Sequence, residues 1–216
     1  MAEHSAGRLQ EIGEAAIASL EAVNKARERA LAETRQIVRL CANSIRAIHR
    51  GEFDTARGLL TQAQDILSGL VFELESQPKI YWSGYVQDSQ KEFAEAWITL
   101  AIISGGDLPD PTSLQVDEAV YLNGLAEAAG ELRRHVLDTI RSGEMQRAED
   151  ILGVMDDIYG LLVTVDYPDA VTSGLRRSTD MVRGVLERTR GDLTMSHQQR
   201  QLTSALQRAE SVLSKE

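Results

Sequence analysis

Apolar residues recur at i, i+3, i+4 and i+7 along almost the whole chain. That period places them on one face of an α-helix. Only four prolines interrupt it, at positions 78, 109, 111 and 168. No segment shows the period-two alternation of a strand. The expectation is an all-α protein, an antiparallel bundle of about six to seven helices.

The punctuation gives the helix limits. A first helix is expected over 8–50, with Leu9, Ile12, Ala16, Leu20 and Val23 on one stripe and Gly51 just past its end. A second spans 54–76 and stops before Pro78, and a third spans 81–104. The stretch GGDLPDPTSLQ is the clearest loop. A fourth helix covers 116–142 and ends at Gly143, and a fifth covers 145–165. VDYPDA is a turn with Pro168 near the start of a sixth helix over 169–190. Residues 196–216 can add an amphipathic helix through Leu202, Leu206 and Leu213.

With 216 residues, a single domain spanning 1–216 is expected. The formal charge is 23 − 33 = −10, which excludes a uniformly basic nucleic-acid coat but not a local basic stripe. One cysteine, Cys41, forbids an internal disulfide and suits a reducing cytoplasm. The opening residues show no leader pattern, and no apolar run is long enough to span a membrane.

Two acidic pairs break the apolar pattern. KEFAEAW holds Glu92 and Glu95, and GLAEAAGELRR holds Glu127 and Glu131. Residues three or four apart share a helix face. Small residues beside them, including Gly124 and Gly130, would let two helices approach closely. If the helices are neighbours, four carboxylates converge on one cleft. Like charges at that range raise one another's pKa or demand a cation. Mg²⁺ takes oxygen ligands and would activate water against a phosphodiester. Spacing alone leaves a second reading open, two solvated faces paired with Lys91, Arg133 and Arg134. A di-iron site of the Glu-x-x-His type is not supported, because His135 lies four after Glu131.

Arg35, Arg39, Arg46 and Arg50 fall within about 60° of one another on the first helix, counted at 100° per residue. Ile37, Val38, Cys41, Ile45 and Ile48 cluster about 140° away by the same count. A row of arginines matches a phosphate backbone, or forms an ordinary solvated face. His49 stands beside Arg50. Cys41, on the apolar stripe, reads as a buried structural thiol. His4 and His197 read as exposed, and Asp156 with Asp157 as a polar helix face. Phosphate-binding loops and zinc motifs are missing from the sequence.

KEFAEA, YLNGLAEAAGELRR, SGEMQRAEDILGVMDDIYGLL and DYPDAVTSGLRRSTDMVRGVLERTRGDL together resemble the translin family. RERALAETRQIVRLCANSIRAIHR resembles its long N-terminal helix. The resemblance covers 25–192 and leans toward translin-associated factor X (TRAX)-like subunits; 193–216 is then a C-terminal extension. It implies a translin-like helical fold that assembles into closed, octamer-like shells around RNA or single-stranded DNA. It also implies a Mg²⁺-dependent endoribonuclease, with Mn²⁺ as a substitute, acting on single-stranded or small RNA in the cytoplasm. The family's E-x-x-E motif falls on Glu92 and Glu95, and its D-x-x-x-E motif on Glu127 and Glu131. Those four become the expected catalytic and metal-binding acids, and the four arginines the expected nucleic-acid contacts. Position 127 carries Glu where TRAX members typically carry Asp, so the acid reaches one methylene further. The alternative is a translin-like binding oligomer without activity.

Overall fold

In the computed structural model, residues 2–214 are described, with side chains from residue 5 onward. All regular structure among them is helical. The helices are α1 (Ala2–His49), α2 (Phe53–Leu74), α3 (Pro78–Tyr81), α4 (Gly84–Ser104), α5 (Pro111–Leu114), α6 (Glu118–Ser142), α7 (Met145–Val163), α8 (Asp169–Thr172) and α9 (Leu175–Leu213). The all-α antiparallel bundle expected from the apolar period is the observed fold. Short links fold α1 back on α2 and α6 back on α7.

Local chemistry explains the boundaries. Gly51 and Gly143 take the left-handed conformation, at φ 75° and 94°, and stop α1 and α6. Asp117 caps α6 by accepting a bond from the Ala119 amide at 2.9 Å. Asp110 does the same for Ser113 at 2.7 Å and makes one helical turn inside the expected loop.

The structure corrects the sequence reading at both ends. Residues 175–213 form one continuous helix, where two separate helices over 169–190 and 196–216 were expected. Only the short α8 turn follows Pro168. The Leu9, Ile12, Leu20 stripe is solvent-exposed, and among the described residues the first buried one of α1 is Ala30. On α9, Leu193 is the last buried residue among those described. The His4 side chain lies outside the described residues.

Most of the buried apolar side chains form one cluster. α6 sits centrally, packed on α4, α7 and α9, while α4 also packs on α1 and α2. Phe93 and Trp97 of α4 meet edge to face, with ring centroids 6.5 Å apart. Cys41 is a fully buried free thiol, and burial raises its pKa. No described helix is long and apolar enough to cross a membrane.

Candidate metal centre

The site begins with a close approach of two backbones. A methyl carbon built on Gly124 of α6 would stand 2.9 Å from the Lys91 carbonyl oxygen and 3.1 Å from the Glu95 amide nitrogen. Only hydrogen fits there. Gly130 has nothing within 4 Å of the same position, so it plays no part in the approach. Gly124 thus brings α6 against the stretch of α4 that carries the first acidic pair.

The consequence is a cluster. Glu92, Glu95 and Glu127 each offer a carboxylate oxygen, and all three lie within 4.8 Å of one another. Glu131 lines the same cavity of about 450 Å³ but stands outside that trio. Its Oε2 lies 2.5 Å from Nε2 of His49, on the last turn of α1.

Electrostatics follow position. Glu95 is almost fully buried, and burial, with Glu92, Glu127 and Glu131 adding, pushes its pKa up to about 8. Burial and Glu127 also raise Glu92. Glu131 goes the other way: the His49 hydrogen bond lowers its pKa, and Arg134 helps. Lys91 places Nζ 2.8 Å from Glu127 Oε1. Burial opposes the Lys91 charge, but Glu127, with Asp88 and Glu92 adding, outweighs it and the pKa rises.

Of the basic residues expected near the acids, Lys91 bonds Glu127 and Arg134 lines the cavity. Arg133 turns away to Thr189 and Asp192 of α9. Arg35, Arg39 and Arg46 line an adjoining groove with Tyr85 and Val38. Ala42 and Arg46 border both the groove and the acidic cavity, so the two are continuous. Arg50 is held elsewhere, in a two-pronged bond to Glu52 at 2.7 and 2.6 Å. His197 pairs with Glu149 and Asp156 with Arg190.

The residue that sequence reasoning missed as a site member is His49. Its side chain is 3% exposed. It follows Ile45 and Arg46 at helical spacing, so it sits at the seam between the apolar and basic faces. That seam was the one available signal. Its partner lies 82 positions away and was not legible.

A helical bundle with an acidic cavity opening onto an arginine groove defines the class. No protein-family model matches the chain. An uncharacterized protein of Methanocaldococcus jannaschii is 34% identical over 192 residues, spanning 88% of this chain and 85% of that one. The crystal structure of AfC3PO is 35% identical, with TM-score 0.80, over 87% of this chain and 97% of that chain. AfC3PO in complex with duplex RNA gives 34% identity, the same TM-score of 0.80 and the same coverage, 87% and 97%. Apo-NeC3PO, 18% identical, shares the fold at TM-score 0.78 over 85% of this chain and 96% of that chain. The chain belongs to the C3PO/translin family.

Proposed function

We propose that this chain is a TRAX-like, metal-dependent endoribonuclease. The observation that supports it best is the trio Glu92, Glu95 and Glu127, gathered within 4.8 Å where an arginine groove ends. The donor set fits a hard divalent cation. It is all oxygen, it repels itself, and the single charge of Lys91 leaves most of that repulsion in place. Mg²⁺ suits it, and Mn²⁺ would substitute. A bound ion would lower the pKa of an attacking water and stabilise charge developing on the phosphate.

This chain's residues do the rest. Glu92, Glu95, Glu127 and Glu131 form the acidic set, and its completeness supports a TRAX-like rather than an inactive subunit. Arg35, Arg39 and Arg46 take successive phosphates of a strand and lead it to the acids. Arg50 extends the same stripe, with its guanidinium already engaged by Glu52. The duplex RNA bound by AfC3PO supports RNA as the ligand and widens the expected substrate from single strands to duplexes. The translin resemblance supports a single-domain subunit in a closed, octamer-like homo-oligomer, working in the cytoplasm. Single-stranded DNA is a further ligand on the same grounds.

The test is cleavage of labelled single-stranded and duplex RNA, with Mg²⁺ and with EDTA. Metal-dependent products are expected. Glu92→Ala/Glu95→Ala is expected to abolish cleavage and keep RNA binding. A double variant that cuts at the wild-type rate defeats this assignment. Binding without metal-dependent products selects the inactive binding oligomer instead.

A further inference from the structure

We propose that the four acids divide their labour: Glu92, Glu95 and Glu127 hold the cation, while Glu131 stays outside its direct ligands and orients one of its waters, fixed there by His49. This rests on the nuclease reading and adds a positioning residue to it.

The division follows from contacts. Glu92, Glu95 and Glu127 bring oxygens within 4.8 Å of one another, and Glu131, in the same cavity, is not part of that group. Glu131 has instead a partner from a third helix, α1. Glu131 Oε2 is committed to His49 Nε2 at 2.5 Å. An ionised carboxylate only accepts, so Nε2 must carry the proton and donate it. Charge-assisted bonds of this length are among the stronger ones.

His49 has no competing duty. Its ring is enclosed, and Nδ1 is buried without a protein partner. The imidazole is therefore aimed by its contact with Glu131 and by packing. α1, which also carries the arginine groove, thus reaches into the acidic cavity and sets one carboxylate from α6. Mg²⁺ usually keeps several waters and binds through few carboxylates. Such a water needs an acceptor beside the ion, and the free oxygen of Glu131 is suited to that. Outer partners of this kind typically change affinity or activity by about 10–100-fold when removed.

The experiment uses the full chain stripped of metal. Mn²⁺ binding is measured by calorimetry and by electron paramagnetic resonance, and RNA cleavage separately. Glu92→Gln removes a direct ligand and is expected to weaken Mn²⁺ by about tenfold more than Glu131→Gln, which keeps an acceptor oxygen. Both Glu131→Gln and His49→Leu are expected to lower kcat by about 10–100-fold, with KM for RNA unchanged. His49→Gln keeps an N–H donor and is expected to recover part of the loss. Circular dichroism confirms that each variant is folded; should His49→Leu unfold, Glu131→Gln and His49→Gln still decide. The division is overturned if Glu131→Gln weakens Mn²⁺ as much as Glu92→Gln does. The role of His49 is overturned if folded His49 variants cleave at the wild-type rate. A wild-type chain that neither binds Mn²⁺ nor cleaves RNA defeats the nuclease reading itself.

Discussion

Lys91 Nζ stands 2.8 Å from Oε1 of Glu127, so α4 answers the acid of α6 with a cation of its own. The ammonium is a partial stand-in: one charge facing a trio of carboxylates. A divalent ion entering the trio meets Lys91 as a rival for Glu127 and as a like charge.

Replacing Lys91 by Met is therefore expected to tighten Mn²⁺ binding. A unit charge and a divalent ion about 4 Å apart in a water-like dielectric repel by about 2 kcal/mol, or roughly a thirtyfold change in affinity. Calorimetry on wild type and Lys91→Met reads the difference. Weaker binding in the variant would mean that Lys91 shapes the site rather than competing for it.

Glu95 makes the metal-free protein pH-sensitive. Its folded pKa of about 8 lies above the 4.5 it has when unfolded. Between those values the folded state binds more protons than the unfolded one, so stability falls as pH rises. The melting temperature of the EDTA-treated protein is expected to drop from about pH 5 to pH 8. Glu95→Gln is expected to flatten that slope. Mg²⁺ is expected to raise the melting temperature more at pH 8 than at pH 5.5. Scanning fluorimetry across this range checks all three.

Gly124→Ala and Gly130→Ala are expected to have opposite signs. The added methyl at 124 meets backbone on α4, and overpacking of this kind costs about 1–3 kcal/mol. At 130 it meets open space in a helix interior, where Gly→Ala typically stabilises by about 0.4–1 kcal/mol. Urea melts of the two variants give the comparison, and equal effects would show that the helix contact does not fix the fold.

The arginines are separable by salt. Each phosphate contact contributes about −0.7 to −0.9 to the slope of log affinity against log salt. Arg35→Gln, Arg39→Gln and Arg46→Gln are each expected to flatten the slope for RNA by about one such step. Arg50→Gln is expected to change it less, because Glu52 already holds that guanidinium. Fluorescence anisotropy with labelled RNA at several salt concentrations distinguishes them.

The fold class was legible because burial on one helix face leaves a period in the sequence. The acid pairs were legible as pairs, since neighbours on a helix are also neighbours in number. Their convergence needed Gly124, and glycine at 124 looked no different from glycine at 130. His49 was passed over for the same reason: a contact between residues 49 and 131 leaves no spacing to read. The outer stripe of α1 misled in the opposite direction. Leu9, Ile12 and Leu20 have helical spacing but no core against which to lie. The break expected in α9 was absent because the Gly191–His197 stretch keeps helical geometry without a buried face after Leu193.

At Gly124 the peptide units of two helices touch, so the spacing of the two helices that carry the acids is set by main-chain dimensions. Touching backbones cannot be squeezed, and a filled interior resists being spread. A cleft of fixed width suits an ion with short bonds of about 2.0–2.1 Å, such as Mg²⁺. Ca²⁺, with bonds of about 2.3–2.6 Å and a larger oxygen shell, asks for a receptacle that can yield. Selection between the two would then be written into one missing side chain.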